Sequence, residues 1–391
     1  MSGGPRDRFD LVLVGGGLQN GLIVLSALAA APECRIALVE AEPRLGGNHT
    51  WCVHARDVSP AARRWFEPLI VQRWHGYDVR FPGFSRALDS AYAVVSSERF
   101  AHVVSERIAS SPGQLLLGRR AQRIEADRVQ LDDGSVLHGR LVIDARGPDP
   151  QAHVGRCGYQ KFLGLELALR ERHGLSRPLL MDATCEQRDG FRFFYVLPLT
   201  PDRLLVEETR FSRTPGLDRP AARREVYAYA TRFGAIAACV REEVGVLPMP
   251  WSMRWPEADV TAGALPAGYR GGYFHPATGY SMPAALRVAE LVGEHVMLEP
   301  LGPAWQRFVR THRAQAAYAL QLNRLLFTGF AETDMWGVLA RFYHLPEIAI
   351  ERFYALESSL LDRARIVVGR PPRGFSLRRA IAEHLPGGGA A

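Results

Sequence analysis

The sequence predicts an α/β protein in three parts: a nucleotide-binding domain with a parallel sheet, a second domain with an antiparallel sheet, and a helical C-terminal part. Three observations support this prediction. The chain opens with a strand, a glycine-rich turn, a helix and a second strand; strand-like runs at hairpin spacing fill residues 160–211; and helical patterns rich in Trp, Leu and Arg follow residue 303. With 391 residues the chain is too long for one ordinary core, so two intertwined domains are expected.

The first element is a βαβ unit that predicts dinucleotide binding. The apolar run from Asp10 to Val14 leads into Gly15 and Gly17, which fill the first two places of G-x-G-x-x-G. Glycine allows the tight turn and the close approach of a pyrophosphate to the positive N-terminus of the helix that follows. The third place holds Asn20, with Gly21 one residue later, and this departure bears on helix packing rather than on the phosphate turn.

The helix is predicted from Leu22 to Ala31, and a second strand from Arg35 to Val39 ends at Glu40. An acid at this place can accept hydrogen bonds from a ribose, so a Rossmann-type domain is predicted. The continuation "EAEPRLGGNHT" places Arg44, Gly46 and Gly47 after the acid, which resembles the extended fingerprint of FAD enzymes. The alternative is that Gly46 and Gly47 form an ordinary loop. We therefore expect an FAD-binding domain.

Residues 115–147 are predicted to form a β-meander with a turn at "DDG". Its last strand, "LVIDARG", carries Asp144 and Gly147 at its end, where the chain returns to the nucleotide-binding domain. Two roles remain open for Asp144, which either approaches the cofactor or caps a turn.

The antiparallel sheet is predicted from the runs "FLGLELAL", "PLLMDA", "RFFYVLPL" and "RLLVEETRF", with turns at "QRDG" and "TPDR". Residues 219–243 are predicted as a helix. The run "RLLVEETRF" raises a question, because Glu207 and Glu208 are neighbours and neighbouring side chains of a strand point to opposite faces. Alternation allows only one of them to face inward and does not decide which.

A second glycine-rich turn, "HPATGYSMP", precedes a helix that begins at Met282. Ser281 is a candidate N-cap, and exposed amides around Gly279, Tyr280 and Ser281 would suit the electron-rich end of a flavin. The alternative is a capped helix without a ligand. His275 is either a structural histidine or a residue that contacts the substrate.

The expected domain limits follow from these patterns. The FAD-binding domain is expected to comprise residues 1–80, 100–150 and 265–300, and the substrate domain residues 81–99 and 151–264. The C-terminal helices are expected at residues 301–372, followed by a disordered tail at residues 373–391.

Composition excludes several classes of function. The net charge is +7 and Lys161 is the only lysine; the arginine bias reflects either genome composition or attraction to anions. Basic runs with interleaved aromatics are missing, so no nucleic-acid partner is expected. The five cysteines lack C-x-x-C spacing, so neither metal nor disulfides are expected and a reducing cytosol fits. The start of the chain does not resemble a signal peptide, and no apolar run reaches the ~20 residues of a membrane span.

Six segments in this order resemble the bacterial lycopene β-cyclases of carotenoid biosynthesis. They are "GNHTWCVH", "VIDARG", "LLMDATCEQRDGFRFFYVLPLTPDRLLVEETRFS", "GVLPM", "YFHPATGYSMP" and "RFYHLPEIAIERFY", and the likeness extends from Phe9 to about Pro372. The resemblance implies a two-domain flavoprotein that closes rings at the ends of lycopene or related acyclic carotenoids, giving β-carotene through γ-carotene. It also implies FAD in the reduced form, with NADPH or a similar donor, and it assigns the essential glutamate of "LVEET" to Glu207.

Ring closure explains why such a site needs a carboxylic acid. A proton must reach a terminal double bond, and a second proton must leave after the ring has closed. An acid facing an apolar cavity has a raised pKa and can hold that proton, so Glu207 is the predicted acid. Glu208 is expected to be solvated or paired with Arg210. The final base remains open: Glu207 itself, the flavin or another residue.

Aromatic side chains could stabilise the cation. Phe193, Phe194, Tyr195 and Trp51 are candidates, each of which could equally belong to the core; Phe193, Tyr195 and His275 are the predicted substrate contacts.

The helices predicted at 304–330, 334–345 and 346–367 either pack on the sheets or present an amphipathic surface to a membrane. We expect a cytoplasmic protein that is peripherally associated with the inner membrane. Two other functions stay open: an FAD-dependent monooxygenase or polyprenyl reductase on the same fold, and a non-catalytic isoprenoid carrier.

Overall fold

The structure is a computed structural model that describes residues 8–148, 157–256, 263–297, 301–369, 372–376 and 378. Most of the predicted tail at residues 373–391, including "LPGGGAA", lies outside the described residues.

The described strands are β1 (Arg8–Val14), β2 (Ile36–Glu40), β3 (Thr50–His54), β4 (Gln72–Trp74), β5 (Tyr77–Phe81), β6 (Phe84–Leu88), β7 (Tyr92–Ser96), β8 (Gln114–Leu117), β9 (Ala121–Ile124), β10 (Arg128–Leu131), β11 (Val136–Asp144), β12 (Cys157–Leu169), β13 (Leu179–Asp182), β14 (Phe191–Thr200), β15 (Arg203–Ser212), β16 (Ile236–Pro250) and β17 (Leu265–Pro266). The described helices are α1 (Leu18–Ala30), α2 (Pro60–Phe66), α3 (Ser97–Ala109), α4 (Arg219–Ala230), α5 (Met282–His295), α6 (Gly302–Gly329), α7 (Trp336–Phe342), α8 (Glu347–Tyr354) and α9 (Leu360–Val367).

The first sheet confirms the predicted nucleotide-binding architecture. Its strands lie in the order β8-β2-β1-β11-β10-β9, with β17 paired to β11. Strands β8, β2, β1, β11 and β17 are parallel, and β9, β10 and β11 form an antiparallel meander. The meander predicted over residues 115–147 is therefore shorter than expected, because its first strand is β8, which pairs in parallel with β2. The end of β1 and the end of β11 therefore meet at one edge of the sheet, where Val14 lies beside Asp144.

Helix α1 begins at Leu18, four residues before the predicted start, directly after the glycine turn. Asn20 takes the third place of the motif because its side-chain amide donates to the carbonyl oxygens of Val14 (3.0 Å) and Gly15 (2.8 Å), tying the helix to the strand. Gly21 allows the close helix packing: a Cβ there would lie 2.0 Å from the Phe100 ring of α3. The motif's departure from G-x-G-x-x-G thus leaves the packing intact.

The second sheet has the order β16-β12-β15-β14-β13-β5-β6 and is antiparallel except for the β13–β5 pair. The four strands predicted within residues 160–211 are confirmed as β12 to β15. One face of this sheet packs on α4, with Leu163, Leu165 and Val206 against Val226 and Tyr229. The opposite face packs against the C-terminal helices.

The predicted helix over residues 219–243 is wrong in its second half. Helix α4 ends at Ala230, and a 3-10 turn leads to Gly234, whose φ of 136° stops the helical path. Residues from Ile236 onward form β16, which pairs with β12 along its whole length. Ala, Arg and Glu favour helix locally, but an unpaired edge of β12 offers a ladder of backbone hydrogen bonds that outweighs this weak preference.

The C-terminal part is helical as predicted, but the helix expected at 346–367 is divided into α8 and α9. Leu356 adopts a left-handed φ of 55° at the break, which ends α8. Phe327 of α6 and Ile350 of α8, together with Phe330 directly after α6 and Tyr343 directly after α7, share one core with side chains of the antiparallel sheet.

Strands β3, β7 and β4 form a third, small sheet in that order, and β5 and β6 belong to the antiparallel sheet. Across the described residues, no helix is both long and apolar enough to cross a membrane.

Candidate active site

A cavity of about 810 Å³ lies where the three parts of the molecule meet. Its wall includes the glycine turn at Gly15 and Gly17, the face of the antiparallel sheet that carries Glu207, and residues of α6, α7 and α9. The volume lies toward the upper end of the roughly 300–1,000 Å³ of small-molecule sites. Since the wall is continuous, a dinucleotide at the glycine turn and an apolar substrate at the sheet would share one cavity.

Four side-chain positions form a row across the antiparallel sheet. Tyr195 of β14 is the cross-strand partner of Glu207, Glu207 is the partner of Gly164 of β12, and Gly164 is the partner of Glu243 of β16. Cross-strand partners point to the same face of a sheet. This face is the cavity side, because Tyr195 and Glu207 are both in the cavity wall.

Glu207 therefore faces the cavity and not the α4 side. The Thr209 hydroxyl donates a hydrogen bond to its Oε1. Burial, and next the negative charge of Glu243, raise the pKa of Glu207 from 4.5 to about 8, and the Thr209 hydrogen bond acts weakly against them. The side chain is half-buried rather than sealed, since it borders the cavity. At neutral pH it is a carboxylic acid that can give a proton to whatever occupies the cavity.

Glu208 points the other way and is buried beneath α4. Its Oε1 accepts from Arg192 Nε (2.5 Å) and Arg210 Nη2 (2.7 Å), and Arg192 in turn donates to Glu225 of α4 (2.8 Å). The expected pairing of Glu208 with Arg210 is confirmed, whereas the alternative, a Glu208 side chain exposed to solvent, is wrong. The two neighbouring glutamates thus differ because α4 covers one face of β15 and the cavity lies against the other.

Glu243 was missed in the sequence because it falls in the segment predicted as helix. Its Oε2 accepts from the Thr50 hydroxyl (2.9 Å) and from Arg241 Nη1 (2.8 Å), which links β16 to β3. Burial raises the pKa of Glu243, and Arg241 and Thr50 act in the opposite direction. The run "VGVLP", which follows Glu243, has the β-branched residues of a strand and was the signal that could have revealed it.

Tyr195 belongs to a chain of hydroxyl and thiol groups at the cavity. Its hydroxyl lies 2.9 Å from Cys52 Sγ and 3.2 Å from the Tyr92 hydroxyl. Burial raises the pKa of Cys52 to about 12 and also raises the pKa of Tyr195 well above its usual value, so both are neutral. Phe193 and Trp51 also line the cavity. Phe194 faces α4, where it stacks on Tyr229 with ring centroids 3.9 Å apart.

The glycine turn fits a dinucleotide. Gly17 precedes α1 and supplies no side-chain cap to the first amides of the helix, and among the described residues a Cβ on Gly17 would meet nothing within 4 Å. This is open space from which a phosphate could reach the helix N-terminus. Glu40 accepts from the Gly16 amide (2.6 Å) and from the Glu42 amide (2.8 Å) and lies in the cavity wall. Its remaining lone pairs are available to a ribose.

Gly46 and Gly47 also line the cavity, and the Gly46 amide donates to the Gly16 carbonyl (2.9 Å). This hydrogen bond places the two glycine-rich loops against one another. Both glycines have positive φ, 76° and 62°, so their loop needs glycine for its path.

The second glycine turn reaches the cavity through Gly279, Tyr280 and Ser281. Ser281 stands at the start of α5 but makes no capping hydrogen bond, so the predicted side-chain cap is absent. Among the described residues, Gln160 Oε1 has no hydrogen-bond partner and is buried beside Gly279. A ligand that carries both hydrogen-bond donors and acceptors could pair with Gln160 Oε1 and with the uncapped amides at the start of α5.

Asp144 and His275 are not part of the cavity wall. The Asp144 carboxylate accepts from Arg146 Nε (2.9 Å) and Nη2 (2.8 Å), and Arg146 is the residue that reaches the cavity. His275 is buried against Phe353, and burial lowers its pKa to about 3. Its Nδ1 accepts from the Ala277 amide, which makes it a support of the second glycine turn, and its predicted contact with the substrate stays a prediction.

Within the described residues, no group of three His, Cys, Asp or Glu side chains is placed to hold a metal ion.

The sequence matches the family model described as "Lycopene cyclase protein" over residues 10–380. It is 39% identical to a lycopene beta-cyclase of Pseudescherichia vulneris over 385 residues, which are 96% of this chain and 98% of the relative. It is also 39% identical to a lycopene beta-cyclase of Pantoea ananas over 374 residues, with 94% and 96% of the two chains covered.

Two solved structures share the fold at low sequence identity. A geranylgeranyl bacteriochlorophyll reductase-like protein of Thermoplasma acidophilum superposes with a TM-score of 0.61 at 11% identity, covering 96% of this chain and 98% of its own. A probable FAD-dependent monooxygenase of Pseudomonas aeruginosa superposes with a TM-score of 0.56 at 16% identity, covering 89% and 99%. These likenesses show the fold and not the reaction.

Proposed function

The chain belongs to the lycopene cyclase family, and we propose that it is a lycopene beta-cyclase. It closes β-ionone rings at the ends of lycopene and gives β-carotene through γ-carotene, with FAD as the bound cofactor. The observation that carries this proposal is Glu207, a carboxyl group that is protonated at neutral pH and faces a cavity shared with a dinucleotide-binding turn.

The reaction that this carboxyl group supports is a net isomerisation. Glu207 gives its proton to the terminal double bond of the acyclic end, and the resulting cation is attacked by the internal double bond, which closes the six-membered ring. A proton then leaves the carbon beside the new cationic centre, and the remaining double bond forms. One proton enters and one leaves, so the Glu207 carboxylate left by the first transfer is available to take the second.

The cavity wall supports cation chemistry because it keeps water and nucleophiles away. Apolar side chains, among them Phe193, Phe211 and Leu326, surround the Glu207 side of the cavity. The neutral Tyr195 ring lies beside Glu207 and can stabilise a nearby cation through its face. Cys52 stays a thiol and therefore a weak nucleophile.

The residues that would hold FAD are Gly15 and Gly17 at the pyrophosphate, Glu40 at the ribose, and the turn of Gly279 to Ser281 near the flavin ring. Reduced FAD, when bound, supplies negative charge beside the cavity, and NADPH is the proposed donor that keeps it reduced. The uncapped start of α1, the orphan Gln160 Oε1 and the open space at Gly17 support this assignment.

We further propose that the cavity opens toward a lipid surface at the cytoplasmic side of the inner membrane. Leu325 of α6 and Val367 of α9 are exposed large hydrophobic residues that also line the cavity, so its wall continues onto the surface there. Leu360 and Leu361 add exposed apolar area at the start of α9, and Arg365 supplies positive charge. An apolar edge with cations suits an anionic bilayer that carries a dissolved polyene.

Anaerobic incubation of the FAD-loaded protein with lycopene and NADPH in liposomes tests the proposal. The expected product is a cyclised carotenoid whose mass equals that of lycopene, formed without stoichiometric consumption of NADPH. In a parallel incubation in air, oxygen insertion would instead indicate a monooxygenase, and uptake of hydrogen in either incubation would indicate a polyprenyl reductase. Retention of lycopene without any product would indicate a carrier.

A further inference from the structure

Glu243 lies two strands from Glu207 on the same face of the sheet, with only Gly164 between them. Gly164 is the cross-strand partner of Glu207 on one side and of Glu243 on the other. Strands are spaced by about 4.8 Å, so the Cα atoms of the two glutamates are roughly 10 Å apart. Extended glutamate side chains can bridge this gap only when the residue between them is small.

The position of the Glu243 side chain shows that it uses this space. A Cβ added to Gly164 would lie 3.1 Å from Glu243 Cγ and 3.3 Å from Glu243 Oε1. The Glu243 side chain thus leans over Gly164, with Oε1 on the side of β12. Its other oxygen, Oε2, is held by Thr50 and by Arg241, which fixes the direction of the carboxylate.

The surrounding charges decide which of the two carboxyl groups keeps a proton. Glu243 accepts from the guanidinium group of Arg241, whereas the donor to Glu207 among the described residues is the Thr209 hydroxyl. Arg241, whose guanidinium group also lies 3.4 Å from Glu166 Oε2, is thus a cation on the Glu243 side of the row. Tyr195 and Cys52, which face Glu207, are neutral. The carboxyl group nearer to a cation ionises first, and the other then retains the proton.

We propose that Glu243 is a positioning residue whose fixed negative charge, directed across Gly164, keeps the Glu207 carboxyl group in its proton-donating form. This inference rests on the proposed function, since it assigns a role in the protonation step. It explains why Gly164 stands in the middle of a long strand: a larger residue there would push Glu243 away from Glu207.

The test is an infrared titration of the full-length FAD-loaded protein without lycopene. The carbonyl band of protonated carboxyl groups is followed from pH 5 to pH 10, and Glu207→Gln identifies the Glu207 component. We expect Glu243→Gln to lower the midpoint of that component by about one pH unit or more, because it removes the neighbouring negative charge. Glu166→Gln is the matched control, because Glu166 also lies beside Arg241 but its charge raises the pKa of Glu243 and not that of Glu207, so its removal leaves the negative charge of Glu243 in place.

Gly164→Ala provides a second variant that keeps both charges and changes only their approach. Its Cβ forces Glu243 aside, so the midpoint should fall as in Glu243→Gln, although by less. An unmoved midpoint in both variants, or an equal shift in Glu166→Gln, would overturn the inference.

Failure of the proposed function gives a different result. If the wild-type protein does not cyclise lycopene, the role in catalysis fails together with that function, whatever the infrared midpoints are. If the wild-type protein cyclises lycopene, its rate should fall to half at a certain alkaline pH, which is its alkaline limit. In Glu243→Gln this alkaline limit should shift by the same amount as the infrared midpoint, whereas the rate at pH 6 should stay within about threefold of the wild-type rate. Cyclisation with no shift of that limit would refute the inference alone.

Discussion

Glu207→Gln and Glu208→Gln form a matched pair that tests the site directly. The two residues are neighbours on β15, and the substitution replaces the same atom in each. Glu207 faces the cavity, whereas Glu208 is buried under α4 with Arg192 and Arg210. The two variants should therefore fail in different ways.

Glu208→Gln should lose stability and keep its chemistry. Breaking a buried ion pair costs about 3–5 kcal/mol. The lower end, about 3 kcal/mol, is expected because Arg192 retains Glu225 and Arg210 retains Asp189 as anionic partners. Cyclisation should continue at temperatures at which this variant is folded.

Glu207→Gln should lose its chemistry and gain stability. Removal of a general acid lowers the rate by about 100-fold or more. In the wild-type protein the folded state holds the Glu207 proton up to about pH 8, whereas the unfolded chain has released it near pH 4.5. The contribution of Glu207 to stability is therefore present at low pH and is lost as the pH rises toward 8. The stability advantage of the glutamine variant should widen by about 2–3 kcal/mol between pH 6 and pH 9.

Two assays distinguish these outcomes. Product chromatography after anaerobic incubation with lycopene measures the rate, and urea denaturation at pH 6 and pH 9 with saturating FAD measures the free energy of unfolding. An active Glu207→Gln variant beside a folded but inactive Glu208→Gln variant would refute the assignment of the acid. A stability difference between wild-type and Glu207→Gln that does not change with pH would refute the raised pKa.

Three further predictions concern the pH profile, the cofactor and the membrane. The wild-type rate should fall about tenfold per pH unit above about pH 8, because the acid form of Glu207 is lost there. Initial rates between pH 6 and pH 10 measure this fall, and a flat pH–rate profile would contradict a glutamic acid as the proton donor. Gly17→Val should fold normally, because its Cβ enters open space. It should nevertheless bind FAD at least about tenfold more weakly in a fluorescence titration, because the valine side chain occupies the place of the phosphate. Unchanged affinity would show that FAD does not bind at this turn. Val367→Glu should reduce co-sedimentation of the protein with anionic liposomes. Val71 is the control, because it is 50% exposed against 51% for Val367 but lies outside the cavity wall, so Val71→Glu should leave co-sedimentation unchanged. Equal effects of the two substitutions would place the membrane contact elsewhere.

Much of the fold could be predicted from local sequence patterns. The turn at Gly15 and Gly17 and the acid at Glu40 depend on neighbours in sequence, because glycine conformation and strand–helix order are local properties. The four strands β12 to β15 were likewise predicted from alternation and turn residues. Strand β16 was not, since its first residues, up to Glu243, favour helix locally and are held as a strand by the edge of β12.

The sequence by itself determined that the chain has a dinucleotide turn, an antiparallel sheet and two neighbouring glutamates that must point to opposite faces. Tertiary structure decided which glutamate reaches the cavity, because α4 covers the Glu208 face and leaves the Glu207 face open. It also brought Glu243 into the same row through Gly164, although the two glutamates are far apart in sequence. A carboxyl group acquires a raised pKa from burial and from charges packed around it, and both are properties of the folded chain rather than of any short segment.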